Sequence, residues 1–178
     1  MSRQIVLLRG VNIGARNRVA MAQLRKVLTD AGFGDVRTYV QSGNVVLSSD
    51  ESPEKLARKS ERLIAQHLGL EIEVVARTRD ELAEVVRFNP LRKVAVNPKL
   101  YQVSFLAAEP DADVVDKLAA AKAEPEQFVV DGREIYAWHP GGVGRSRLWA
   151  TLGGRGLGVT ATARNWTTVT KLLAIADE

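Results

Sequence analysis

The chain of 178 residues contains no cysteine. Disulfide bridges, thiolate metal sites and cysteine nucleophiles are therefore excluded. Long apolar runs are also missing. The N-terminal segment reaches only four consecutive apolar residues, Ile5–Leu8, and no stretch approaches the ~20 that cross a bilayer. We therefore expect a soluble cytoplasmic protein without membrane attachment, long enough for two small domains.

Histidine is scarce, with only His67 and His139. His67 lies where a helix is predicted to end, and a cation there favours the helix dipole. General acid–base catalysis by His139 with Ser146 would need an orienting carboxylate, and the sequence shows none at a suitable spacing. No spacing of His, Asp and Glu matches a metal site. We predict no metal and no cofactor, and the sequence leaves open whether the protein is an enzyme.

The net charge of +4 is unevenly distributed. Residues 1–29 carry six basic residues and no acid, and residues 133–171 carry six basic residues and one acid. The segment between them, residues 30–132, has 13 basic and 18 acidic residues. If the two basic segments meet in space they form a patch suited to an anion, and otherwise they are two solvated faces.

Strands and helices alternate along the first half. Runs rich in Ile and Val predict strands, and Ser42-Gly43 between two such runs is typical of a hairpin. Ser52 before Pro53, and Thr78 before Glu81, are typical helix starts, the second pair as a capping box. The predicted elements are a strand over 4–9, a helix from Met21 to Gly32, strands over 36–41 and 44–49, a helix from Pro53, a strand over 71–76 and a helix to Phe88.

The second half repeats this order of elements. Asp131-Gly132 is its strongest hairpin signal. The predicted elements are a strand over 100–107, a helix over 111–122, two strands within 127–138, a helix after residue 146, a strand over 159–162 and a helix over 165–176. The pattern predicts an α+β protein of two ferredoxin-like (split βαβ, alpha-beta plait) subdomains, a duplication of architecture. Two Asn-Pro pairs place a linker at 89–99 between domains 1–88 and 100–178.

Two glycine-rich basic loops each join a strand to a helix. In residues 10–19 and 139–147, glycines let backbone N–H groups converge on an anion near a helix N-terminus. The spacing of a phosphate-binding Walker loop is absent. The alternative for the first loop is a long surface loop whose Asn side chains bond their own backbone, and the alternative for the second is a turn that requires glycine.

Polar side chains mark two further positions. Gln41, Ser42 and Asn44 surround the first hairpin turn, which itself does not require Gln41. Asn165 is predicted to cap the last helix, with Trp166 in the core and Arg164 free to reach outward. In that topology the strand before the last helix and the strand before the loop 139–147 belong to one sheet. The sequence therefore leaves open that Arg164 and this loop lie close together.

Aromatic residues alternate along two strands of the second half. Tyr101 and Phe105 share one face of the first strand, and Tyr136 and Trp138 share one face of the other. If exposed, they would form a platform for stacking RNA bases. If buried, they form the core, and the signature of RNA-recognition plaits is missing.

Three separated motifs are similar to those of a bacterial family catalogued as domain of unknown function 1697. They are Leu8-Arg9-Gly10 with Asn12, Gly14 and Met21; Thr38-Tyr39 with Gln41 to Val45; and Thr162 with Arg164-Asn165-Trp166 and Thr168. Where relatives have Ser-Lys after the second loop, this chain has Ser146-Arg147, which keeps the charge. The resemblance implies two packed α-β plaits and no established activity.

Three functions remain open: binding of a phosphate-bearing ligand such as a nucleotide or nucleic acid, a structural or protein-interaction module, and a non-covalent enzyme on a small anionic substrate. The oligomeric state is not predicted. The candidate ligand-binding residues are Arg9, Asn12, Gly14, Arg16, Arg18, Gln41, Ser42, Asn44, Arg145, Ser146, Arg164 and Asn165.

Overall fold

The computed structural model describes residues 1–178 and divides into two compact units. The first unit comprises Met1–Glu84 and Lys171–Glu178, and the second comprises Val85–Thr170. Each unit holds one four-stranded antiparallel sheet with helices. The fold is therefore α+β with two ferredoxin-like halves, as predicted. The first unit is discontinuous in sequence.

The first unit contains the order β-α-β-β-α-β. Its elements are β1 (Ser2–Leu8), α1 (Met21–Asp30), β2 (Gly34–Tyr39), β3 (Asn44–Ser49), α2 (Pro53–Leu68), β4 (Val74–Thr78) and the start of α3 (Arg79–Phe88). The strands lie in the order β2-β3-β1-β4, which is the split βαβ arrangement. Strand β4 begins three residues later than predicted, because its ladder with β1 starts at the pair Leu8 and Val74.

The predicted helix caps are present in the first unit. The Ser52 hydroxyl accepts a hydrogen bond from the Lys55 N–H at 3.3 Å. The Glu81 N–H donates to the Thr78 hydroxyl at 3.0 Å, and the Thr78 N–H donates to the Glu81 carboxylate at 2.8 Å. This reciprocal pair is the capping box that the sequence predicts.

The core of the first unit lies between its sheet and the helices α1 and α2. Leu24 of α1 and Leu56 of α2 are fully buried in one cluster with Leu47 of β3. Leu7 and Val46 alternate with residues of this cluster along β1 and β3, so they lie on the other face of the sheet, and they are 0% and 1% exposed. Burying side chains of this size contributes about 1.5–3 kcal/mol each to folding.

The second unit repeats the architecture. Its elements are the end of α3, β5 (Tyr101–Leu106), α4 (Ala112–Ala121), β6 (Gln127–Asp131), β7 (Glu134–Trp138), α5 (Arg147–Gly153), a 3₁₀ turn (Arg155–Leu157), β8 (Ala161–Asn165) and the start of α6 (Trp166–Ala176). The strands lie in the order β6-β7-β5-β8.

Two details of the second unit differ from the prediction. The hairpin turn is centred on Gly132 and Arg133 because Asp131 pairs with Glu134, and Gly132 has a φ of 57°. A positive φ at the first central residue is what a tight hairpin of this kind requires. Strand β8 begins at Ala161 because its ladder with β5 starts there. None of the helices has both the length and the apolar composition needed to cross a membrane.

Candidate functional site

The loop of residues 10–19, here called the basic loop, is anchored by one side chain. The Asn12 amide donates to the carbonyl of Val19 at 2.9 Å and to that of Gln41 at 2.6 Å. Its oxygen accepts the Val19 N–H at 2.9 Å. The Asn12 N–H also donates to the Asn17 carbonyl at 3.0 Å. These bonds hold the loop in one conformation against the turn that precedes β3.

The side chains at the tip of the basic loop point into solvent. Arg16 and Arg18 are exposed, and neither guanidinium makes a hydrogen bond or an ion pair. Ile13 is 74% exposed, and Val40, beside the anchoring carbonyl of Gln41, is 51% exposed. The loop therefore presents two unpaired cations and the exposed Ile13, and Val40 is exposed on the adjoining turn.

The other candidates on this loop have different surroundings. Arg9 is partly buried, and its guanidinium lies 3.3 Å from the Glu73 carboxylate. Gly14 is exposed with a φ of 67°, and no atom lies within 4 Å of the position of a Cβ. The charge of Arg9 is therefore balanced by the Glu73 carboxylate. Gly14 provides the positive φ that the loop adopts at this position.

The turn before β3 contains the three polar candidates of the first hairpin. Gln41 and Ser42 are exposed, whereas Asn44 is fully buried and its amide donates to the Tyr39 carbonyl at 3.1 Å. Gly43 has a φ of 78°, and a Cβ there would lie 2.6 Å from the Leu8 Cβ. Asn44 and Gly43 therefore shape the turn, and Gln41 remains available to a ligand.

The second glycine-rich loop ends in a buried cluster of Glu126, His139 and Ser146. His139 Nδ1 lies 2.7 Å from Glu126 Oε2, and the Ser146 hydroxyl donates to the same oxygen at 2.5 Å. The hydroxyl also accepts the Trp149 N–H at 3.0 Å and so caps α5. Burial raises the pKa of Glu126, but the bonds from Ser146 and His139 outweigh it and hold that pKa below its ordinary value.

This cluster does not have the arrangement of a catalytic triad. A triad places the carboxylate and the hydroxyl on opposite ring nitrogens, whereas Glu126 and Ser146 both face Nδ1 of His139. The other nitrogen, Nε2, is buried without a hydrogen-bond partner, and the whole residue is 0% exposed. The ring packs edge-to-face on Trp149 at 5.7 Å. The cluster therefore holds the loop and α5 together.

Sequence reasoning missed Glu126. The strand pairing of the second hairpin is the feature that could have identified this residue. Gln127 at the start of β6 pairs with Trp138 at the end of β7. The residue before β6 therefore lies beside the residue after β7, which is His139. Glu126 therefore supplies the carboxylate beside His139 and Ser146 that residue spacing alone did not reveal.

The remaining candidates lie in the second unit. Arg145 and Arg147 are exposed on either side of Ser146. Arg164 is only 8% exposed and donates to the Thr162 hydroxyl at 2.6 Å and to the Ala163 carbonyl at 2.8 Å. Burial lowers the pKa of Arg164 to about 10, so it stays protonated at neutral pH. Its guanidinium thus faces the interior and does not reach outward as the sequence suggested.

Asn165 is the predicted cap of the last helix. Its side-chain oxygen accepts the Thr168 N–H at 2.9 Å, which confirms the cap. This bond satisfies one of the N–H groups at the start of α6. The polar group of Asn165 is therefore engaged by the fold.

The aromatic residues of the second sheet form core and not a surface. Tyr101, Phe105 and Tyr136 are each 1% exposed, and Trp138 is 7% exposed. Burial raises the pKa of Tyr101 to about 12. Its ring stacks on Trp166 at 4.8 Å. A platform for stacking bases needs exposed rings, so the interpretation as core is confirmed.

Comparisons with known proteins identify a family and a fold. No curated protein matches the chain. A solved structure of the conserved bacterial protein SP0830 from Streptococcus pneumoniae superposes with a TM-score of 0.79 at 23% identity, covering 98% of each chain. This likeness shows the fold alone. Residues 1–136 match the family described as protein of unknown function (DUF1697). The chain therefore belongs to that family, as its motifs indicated.

Proposed function

We propose that the protein binds nucleic acid through the basic loop. The observation that supports this function is a contrast within the loop. Its backbone is fixed by the bonds of Asn12, while the guanidinium groups of Arg16 and Arg18 have no partner. A fixed loop lowers the ordering cost of binding, and two free cations suit phosphates.

The surroundings of the loop favour an extended partner over a small ion. A small ligand is normally held in a concave pocket, whereas the tip of the basic loop is open to solvent. Ile13 and Val40 add exposed apolar surface beside the cations. Nucleic acids offer both phosphates and apolar base faces, and single strands offer the faces most openly.

A second candidate function, a protein-interaction module, is favoured by a different observation. The side chains of Asn44, Ser146 and Asn165 are all engaged by backbone N–H or carbonyl groups. These three residues therefore stabilise the fold. A surface that binds a partner protein would consist of other side chains. Under this alternative the protein would not bind polyanions.

The test is fluorescence anisotropy with labelled single-stranded DNA, duplex DNA and, for comparison, heparin. We expect binding at low salt that weakens in the double variant R16A/R18A. The matched control R92A/K93A removes two exposed cations from the second unit and should bind as the parent does. An equal loss in the control, or no binding by the parent, contradicts the proposal, and the second outcome favours the interaction module.

A further inference from the structure

The outer face of helix α2 carries four cations. Arg58 and Lys59 follow Lys55 by three and four residues, and Arg62 follows them by four and three, so all four lie on one face of the helix. Together with Glu51 and Glu61, they line a shallow groove of about 550 Å³. The groove belongs to the first unit.

The carboxylates that line this groove are engaged by other groups. Glu51 lies 3.0 Å from the Lys59 ammonium, which also sits 4.8 Å above the Phe33 ring. Glu61 accepts the N–H of Val74 at 3.0 Å. Lys59 is therefore the one cation of the four that the protein itself neutralises.

The other three cations form a continuous stripe. Lys55, Arg58 and Arg62 make no ion pair, and they span about 10 Å along the helix axis. We call these three residues the α2 stripe. The remaining acid of this segment, Glu54, lies in the first turn, where it favours the helix dipole.

The α2 stripe lowers the stability of its own helix. Arg58 and Arg62 are like charges four residues apart, which repel. Lys55 lies in the first turn, where the positive end of the helix dipole disfavours a cation. Glu54, four residues before Arg58, offsets part of the repulsion, and a bound anion would relieve both penalties.

Helix α2 follows the end of β3 at Ser49 and runs toward the opposite end of the first sheet, where the basic loop begins. At that end Glu61 of α2 accepts the N–H of Val74, and Val74 pairs with Leu8. The basic loop begins at Gly10, two residues after Leu8. Along the helix, Arg62 is therefore the stripe residue nearest this end and Lys55 the farthest, so a polyanion must extend along α2 to reach both groups of cations.

We infer that the α2 stripe is a second phosphate-binding surface for the nucleic acid held by the basic loop. This inference rests on the proposed function. The stripe contacts the sugar-phosphate backbone through charge alone, and it therefore adds affinity without sequence preference. Its three cations neutralise phosphates that the basic loop does not reach.

The test compares two triple variants that lose the same charge. K55Q/R58Q/R62Q removes the stripe, and R92Q/K93Q/R155Q removes three exposed cations of the second unit. Gln has a helix propensity close to that of Lys and Arg. We expect the stripe variant to bind single-stranded DNA more weakly, with a salt slope flatter by up to about 2, since each contact contributes ~0.7. Its melting temperature should equal or exceed that of the parent.

The outcomes separate this inference from the proposed function. If R16A/R18A loses affinity while the stripe variant binds as the parent does, the stripe is not a contact and the proposed function stands. If the stripe variant and the triple control lose affinity equally, net charge alone acts and the inference is wrong. If the parent binds no DNA, both are wrong. A melting temperature well below that of the parent would contradict the argument that the stripe weakens its helix.

Discussion

Glu126 and His139 are joined in the interior of the second unit, with His139 Nδ1 2.7 Å from Glu126 Oε2. The Ser146 hydroxyl donates to the same oxygen, and Glu126 is 7% exposed. Burial raises the pKa of Glu126, but the two donors outweigh it and keep the carboxyl ionised. The ionised carboxylate therefore stabilises the folded state.

The variant Glu126→Gln should lower the free energy of unfolding at pH 7 by about 1–3 kcal/mol, because a charged acceptor is replaced by a neutral one. The folded pKa is depressed, so the contribution is present above the unfolded value of ~4.3 and is lost as pH falls through the lower folded pKa. Denaturant unfolding across a pH series should show the difference between the two proteins shrinking as the pH falls below the unfolded value. The control is Glu124→Gln, at an exposed carboxylate. A gap independent of pH would contradict the prediction.

Thr78→Ala should lower the free energy of unfolding by roughly 0.5–2 kcal/mol, because it removes the hydroxyl that caps α3. The binding surfaces are left intact. Thr29→Ala, at an exposed position of α1, is the matched control and should change stability little. Coincident denaturant midpoints for Thr78→Ala and the parent would show that the cap contributes nothing.

Gly43→Ala should destabilise the first unit far more than Gly14→Ala. Both glycines have positive φ, so each substitution carries a conformational cost of about 1–2 kcal/mol. Only at Gly43 would the new Cβ also collide, at 2.6 Å from the Leu8 Cβ and 2.8 Å from Val11. Thermal unfolding of both variants measures the difference. Equal melting temperatures would mean that the close approach of the turn to Leu8 is relieved without cost.

R16A/R18A should flatten the dependence of log affinity on log salt by between one and two units. Each lost phosphate contact contributes ~0.7 on single strands and ~0.9 on duplex DNA. Stability should change little because both side chains are exposed. Anisotropy titrations over a salt series give the slope. An unchanged slope would show that the basic loop does not contact phosphate.

Asn12→Gly should weaken binding by about tenfold, because ordering the freed loop costs on the order of 1–2 kcal/mol. Glycine keeps the φ of 56° accessible and removes only the side-chain bonds that anchor the loop. No charge changes, so the salt slope should stay that of the parent. A flatter slope, or undiminished affinity, would show that the anchored backbone does not assist binding.

The order of elements could be predicted because its signals are local. Ser52, Thr78 and Asn165 each cap a helix through a backbone N–H three residues ahead, so the sequence pattern alone predicts them. Element ends were less accurate where strand pairing decides them, as at the start of β8. The domain boundary within 89–99 stays a prediction.

The environments of the candidate site residues were harder to predict because they depend on pairing between distant segments. Asn12 reaches a carbonyl 29 residues away. Glu126 meets His139 only through the hairpin of β6 and β7. Arg164 belongs to a residue type that is mostly exposed, yet its place in β8 buries it. None of these environments follows from neighbours in sequence.

The discontinuity of the first unit bears on the order in which the protein is made. Domains generally fold as they emerge during synthesis, N-terminal first. Here the second unit, Val85–Thr170, is contiguous and has all its residues before Lys171–Glu178 leave the ribosome. That last segment supplies Asp177, which bonds to Arg79 at 2.7 Å. The first unit therefore receives its last residues only after every residue of the second unit has been synthesised.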